Sequence, residues 1–163
     1  MSADLNQANK RLVYDLWQAL DAAPADEAPA ILPRFAIDDA TWHGPAPLGD
    51  MHGNNAYARR YWQPLRDALS GFERETHILM GGRSNGRIDG QGDGRHWVAG
   101  TGYFSGVFAR ELLGVAATNA RVKLRWGEFC RVDNGRIVES FFLLDVIDFL
   151  QQAGVELLPP ARG

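Results

Sequence analysis

Apolar residues recur at helical spacing through Leu5, Leu12, Val13, Leu16, Trp17 and Leu20, so the chain opens with an amphipathic helix. Residues 22–30, with Pro24 and Pro29, break that pattern and lead into a short helical turn ending at Pro33. Residues 39–43 read as a short strand. The stretch 44–53, with Pro45, Pro47, Gly49 and Gly53, reads as a loop. A second amphipathic helix is predicted over residues 55–69, burying Tyr57, Tyr61, Trp62, Leu65 and Leu69. Pro64 lies inside it and predicts a kink or a fresh start there.

From Phe72 onward the period changes from helical to strand-like. Residues 72–82, 96–108, 122–132 and 136–144 are four candidate strands, rich in β-branched and aromatic residues. Between the first two, RSNGRIDGQGDGR holds three Asn-Gly or Asp-Gly pairs and predicts a hairpin-like excursion. Residues 112–119 form a loop between the second and third. The run RWGEFCRVDNGRIVESFFLLDVIDFLQQAG reads as strand, Asn-Gly turn, strand, Asp145-capped helix and glycine stop. Helices first and consecutive strands afterwards predict an α+β fold rather than a βαβ one. The expected architecture is a cone: N-terminal helices packed in a strongly curved antiparallel sheet with an internal cavity. Gly81, Gly82, Gly100, Gly102 and Gly106 suit bent or bulged strands. No repeat or linker divides the chain, so residues 1–163 are expected to form one domain.

Composition narrows the partners. The chain has 163 residues, a formal net charge of −3, and seventeen Lys and Arg that are scattered along it. That distribution predicts neither nucleic-acid binding nor a polybasic membrane patch. No stretch approaches the ~20 apolar residues of a membrane span. The N-terminus lacks the apolar core of a signal peptide. The lone cysteine, Cys130, has no partner for an internal disulfide and points to a reducing compartment, so a cytoplasmic location is expected.

Glu128 is the principal candidate for chemistry. Strict alternation puts it on one strand face with Trp126 and Cys130, while Arg125, Phe129 and Arg131 share the other. A carboxylate among apolar neighbours is either a general base in a half-dry cavity or half of a structural ion pair, with Arg60 or Arg74 as partner. His43, after Trp42 at a strand end, suits a loop anchor first and a rim acid/base second. His77 faces cavity or solvent according to register, whereas His52 and His96 are expected to be exposed. Four histidines without close pairing, and one cysteine, predict no protein-built metal site and no cofactor. Trp42, Trp62, Tyr103 and Trp126 come from different elements that converge on a cone's interior. They suit an aromatic or apolar ligand, and equally plain core packing. Asp145 reads as a helix cap, Glu139 as an outer-face residue and Cys130 as a small buried apolar group.

Three stretches carry a family resemblance: LGDMHGNNAYARRYWQPL, WVAGTGYFSGVFARELLGVAATNARVKLRWGEF and CRVDNGRIVESFFLLDVIDFLQQAG. Across residues 9–154 the chain resembles the SnoaL-like polyketide cyclases of the nuclear-transport-factor-2-like, or cystatin-like, α+β cones. The resemblance implies a cofactor-free cyclase, isomerase or hydratase acting on an apolar carbonyl compound. It also allows a non-catalytic ligand binder or a structural dimer. Alignment through NGRI places the cyclases' acid/base aspartate at Phe142 and their pocket histidine at Glu128. Glu128 would then be the base, His43 or Tyr103 would polarise the carbonyl, and Phe142 and His77 would join the pocket wall. Phe129, Phe141 and Leu143, on the opposite face, would be covered by a second copy of the chain.

Overall fold

The computed structural model describes residues 2–84, 94–157 and 159. Helix α1 (Ser2–Ala22) buries Val13, Leu16, Trp17 and Leu20 of the predicted stripe against strands described below, while Leu5 at its first turns is exposed and Leu12 only half-buried. Two 3₁₀ turns and the one-turn helix α2 (Ala28–Ile31) lead to β1 (Ala36–His43), which starts three residues before the predicted strand. The predicted loop after it contains a three-residue strand, β2 (Asp50–His52). β2 completes an edge pair with β1, matching Trp42 to Met51.

The second helix departs from a regular α-helix where the sequence placed a kink. It consists of α3 (Asn54–Tyr57), a π turn over Ala58–Trp62, and α4 (Gln63–Ala68). Pro64 has no N–H to give and its ring collides with the preceding turn, so widening that turn relieves both problems without ending the helix. Tyr57, Tyr61, Trp62 and Leu65 all turn inward and are buried.

Four long strands follow: β3 (Leu69–Arg83), β4 (His96–Phe108), β5 (Arg121–Asp133) and β6 (Arg136–Leu144). The six strands form one curved sheet in the order β2-β1-β6-β5-β4-β3. All neighbours are antiparallel except β1 and β6, which run parallel because the chain crosses over between them. The sheet is therefore mixed rather than purely antiparallel. The bends come from register shifts in β3, one opposite Gly102, where a Cβ would collide with the Glu75 carbonyl. The predicted Asn-Gly turn joins β5 to β6, with Asn134 and Gly135 both at positive φ. The excursion predicted between the first two strands lies, from Asn85 to Asp93, outside the described residues.

Asp145 caps α5 (Val146–Gln152) by accepting a bond from the Asp148 N–H at 3.1 Å, and Arg125 donates to its other oxygen. Along β5, burial alternates almost residue by residue: Trp126, Glu128 and Cys130 are buried, Arg125 and Phe129 are exposed. The inner-face side chains of this strand therefore point into the concave side of the sheet, Trp126 and Glu128 against Trp17 of α1 and Leu124 beside Phe149 of α5.

Candidate functional site in the cone interior

Glu128 is 5% exposed, and both of its oxygens are held. The Trp17 indole N–H donates to one at 2.7 Å, and the Ser140 hydroxyl donates to the other at 2.8 Å. The Cys130 thiol in turn donates to the Ser140 oxygen at 3.8 Å. Among the described residues no cation pairs with this carboxylate. The two arginines expected as partners are engaged elsewhere: Arg60 donates to the Leu48 and Asp50 carbonyls, and Arg74 donates to Asp21.

Local structure accounts for each contact. Register matches Cys130 with Ser140 and Glu128 with Phe142, so Ser140 lies diagonally across from Glu128 on the inner face. Trp17 reaches the carboxylate because Gly100, paired with Glu128 in β4, leaves room for its ring; a Cβ there would overlap it. Gly100 is thus required for the Trp17–Glu128 bond.

The rings around the carboxylate form a continuous wall. Trp17 meets Trp126 edge-on, and Trp126 stacks on Phe104. Tyr57 packs on Trp42, and Tyr61 stacks on Phe142 with centroids 4.2 Å apart. The Tyr57 and Tyr61 phenols are raised above their usual acidity range, first by burial and then by the Glu128 charge. Both therefore stay neutral O–H donors, and neither hydroxyl has a hydrogen-bond partner among the described residues. Burial and Glu128 likewise push the Cys130 thiol up, which leaves it protonated and unsuited to nucleophilic attack.

One cation does share this interior. The Arg74 guanidinium lies 4.9–5.4 Å from the ring centroids of Trp17, Trp62, Phe104 and Trp126. Its Nε bonds both oxygens of Asp21, at 3.1 and 2.8 Å. Asp21 itself is raised, because burial outweighs the opposing pull of Arg74. The four rings and one carboxylate take up this charge without drawing on Glu128.

The structure divides the residues expected to form the pocket. Glu128, Trp42, Trp62, Trp126 and Phe142 face the interior. His43, His77 and Tyr103 lie on the outer face and do not meet Glu128. His43 Nδ1 contacts Asp50 at 3.0 Å and its Nε2 contacts Glu139 at 3.2 Å, while its ring stacks on Phe141. His77 is exposed beside Glu75, and Tyr103 accepts bonds from Arg125 under the Lys123 ammonium. The alternation that turns Phe142 inward turns Phe141 outward, and His43 is parallel-paired with Phe141. Trp17, Ser140, Tyr57 and Tyr61 were not read as site residues. Ser140 was legible from the Asn-Gly register; Trp17, 111 residues from Glu128, was not.

Two clefts border this region. At the open end of the cone, Leu48, Tyr61, Leu113, Leu124 and Phe149 enclose about 10 Å³, enough for roughly one water. Tyr61 connects this mouth to the interior through its stack on Phe142. On the outer face, Ile78, Met80, Phe129 and Leu143 wall an apolar trough of about 560 Å³ floored by Ala99 and Gly127. Among the described residues no group of His, Cys, Asp and Glu is arranged to hold a metal ion, and no helix is long and apolar enough to cross a membrane.

Comparison with solved structures places this architecture. IdmH of Streptomyces antibioticus, a polyketide cyclase candidate, superposes with a TM-score of 0.64 at 21% identity, over 87% of this chain and 98% of its own. A SnoaL-like polyketide cyclase candidate from Jannaschia sp. CCS1 gives 0.68 at 14% identity, over 94% and 95%. An NTF2-like protein from Burkholderia thailandensis gives 0.62 at 21% identity, over 91% and 98%. These likenesses establish the fold. No curated protein matches the chain. Residues 13–140, which include α1's buried stripe, Glu128 and Ser140, match the SnoaL-like domain, and the chain belongs to that family.

Proposed function

We propose that this SnoaL-like protein performs cofactor-free acid–base chemistry on a small apolar carbonyl compound, with Glu128 as the base. The observation that carries this reading is a buried carboxylate held only by uncharged donors, the Trp17 N–H and the Ser140 hydroxyl. Stability gives little reason for such a group. Burying a carboxylate costs several kcal/mol. Two hydrogen bonds to a charged acceptor return ~1.5–3 kcal/mol each, so the arrangement roughly breaks even. A buried carboxylate retained at no net gain, beside phenols held as O–H donors, supports a role in proton transfer.

In this reading Glu128 removes a proton from the carbon beside the substrate carbonyl. Tyr61, kept neutral, donates a hydrogen bond to the developing oxyanion, replacing the outer-face His43 and Tyr103 in that role. Returning the proton to a different carbon isomerises the substrate. Attack of the enolate carbon on a second carbonyl of the same molecule cyclises it. The gap lined by Tyr61, Leu113 and Phe149, which holds about one water, would have to widen to admit substrate.

A second reading, a non-catalytic binder, is favoured by Phe142, which occupies the cyclases' acid position and is stacked under Tyr61. Deuterium uptake from D₂O into a panel of apolar β-dicarbonyl compounds separates the two. Under the first, wild type catalyses uptake and Glu128→Gln loses it by a factor of ~10²–10⁴. Under the second, neither protein accelerates exchange while both bind the same compounds.

The trough residues Ile78, Met80, Phe129 and Leu143 are 47–58% exposed, which supports a homodimer packed through the outer sheet face. The buried lone Cys130 fits a reducing compartment such as the cytoplasm.

A further inference from the structure

The mouth of the cone carries one cationic side chain in an otherwise apolar wall. Arg60 shares that wall with Leu48, Tyr61, Leu113, Leu124 and Phe149. Its guanidinium is fixed rather than loose: Nη2 donates to the Leu48 carbonyl at 2.6 Å, and Nη1 donates to the Asp50 carbonyl at 3.3 Å. Both acceptors are neutral, so the exposed side chain is held in place while its charge faces water rather than a carboxylate. The carboxylate of Asp50, the residue whose carbonyl Arg60 also reaches, is turned away to His43. Asp145, near the same end of the sheet, is occupied by Arg125 and the α5 cap. Among the described residues, no carboxylate pairs with Arg60.

We infer that the substrate of this site is an apolar compound bearing an acidic group, and that Arg60 selects it by receiving that group at the mouth. The inference rests on the reading of the interior as a ligand site. The wall explains the rest of the specificity. Leu124, Trp126 and Glu128 are successive inner-face positions of β5, so Glu128 lies about 13 Å along the strand from the mouth. A carboxylate or acidic enol on Arg60 would leave the apolar body of the molecule running down that face toward Glu128. The anchored fork suits a planar, bidentate oxygen pair better than a lysine would.

Two fluorescent probes of one ring framework test this: 8-anilinonaphthalene-1-sulfonate, which is anionic, and N-phenyl-1-naphthylamine, which is neutral. Each is titrated into wild type, Arg60→Met and Leu113→Asp. Asp tolerates the positive φ of 54° that Leu113 holds, so this change sets a carboxylate on the mouth at small conformational cost. The expected result is that wild type prefers the anionic probe and that Arg60→Met weakens it about tenfold. The neutral probe should change by less than about twofold in Arg60→Met and should weaken in Leu113→Asp, which places it at the mouth. Equal loss of both probes in Arg60→Met overturns the inference, because the arginine then acts only through the loop it holds. So does a neutral probe that responds to Leu113→Asp beside an anionic probe indifferent to Arg60; in that case the ligand-site reading survives. If neither probe responds to either change, or neither binds, both the inference and the ligand-site reading fall.

Discussion

The two faces of β5 and β6 solve the problem of charge in opposite ways. Outside, every charged group in the central cluster has a counter-charge: Asp50 and Glu139 flank His43, and Arg131 donates to Glu139 at 2.8 Å. Inside, a few ångströms away through the same strands, Glu128 has only a tryptophan and a serine. The outer groups are part-exposed, so solvent and salt screen their attractions and their pairing is worth little. The inner group is almost dry, where an unpaired charge is costly and every donor counts. A fold organised for stability alone would have no reason to keep the inner carboxylate, since a buried charge rarely repays its desolvation. The contrast supports the role proposed for the inner face.

The largest effect should come from breaking the inner arrangement one donor at a time. Trp17→Phe keeps the ring packing and removes the N–H, leaving one oxygen of a buried carboxylate bare. A loss of about 2–3 kcal/mol is expected in urea unfolding. The same change with Glu128→Leu added should recover most of that loss, since the uncompensated charge is gone. If Trp17→Phe costs nothing, the carboxylate has another partner and the contrast between the faces fails.

Next in size is a pair of glycine substitutions on adjacent strands. Gly100→Ala drives a methyl group into the rigid end of the Trp17 ring and should cost about 1–3 kcal/mol. Gly127→Ala points into the outer trough, where the nearest atoms are 3.8 Å away, and should stay within about 0.5 kcal/mol. Equal costs would mean that the two faces are equally packed. Smaller still for monomer stability is Leu143→Glu, at a position 56% exposed. It should leave unfolding nearly unchanged while shifting sedimentation of the proposed dimer to monomer.

Why the faces were legible and the site was only half so follows from how each is encoded. Alternation along residues 122–132 fixed which β5 side chains point inward, because a strand's period is two and its turn is an unambiguous Asn-Gly. Phe142, Glu128 and Cys130 follow from that register, and Ser140 should have. Tertiary contacts between α1 and β4 obey no such short-range rule. Trp17 presents the same helical spacing whether its N–H is wasted, as those of Trp42, Trp62 and Trp126 are, or spent on a carboxylate. The outward position of His43 is hidden for a related reason. Its neighbour Trp42 faces inward, and a strand end next to a loop looked like a rim. The parallel pairing with β6, which matches His43 to Phe141 and takes it outside, depends on a crossover that single-strand patterns do not reveal.

The smallest effect tests the outer face by pH. Partial burial alone would lower His43, but its bonds to Asp50 and Glu139 outweigh that and hold it above its ordinary 6.5. Burial would raise Glu139, but Arg131 and His43 hold it below its ordinary 4.5. A raised histidine contributes its stability in full below 6.5 and loses it as pH rises through the elevated value. A lowered glutamate contributes in full above 4.5 and loses it as pH falls. The cluster should therefore be worth most between about pH 4.5 and 6.5, and by less than about 1 kcal/mol given its exposure. The melting temperature of wild type should exceed that of His43→Gln in that window. The gap should narrow toward pH 9 and shrink in high salt, as screened surface pairs require. A gap that stays constant from pH 6 to 9 would mean that His43 acts through its stack on Phe141 rather than its charge. The outer face would then be held by packing rather than by charge.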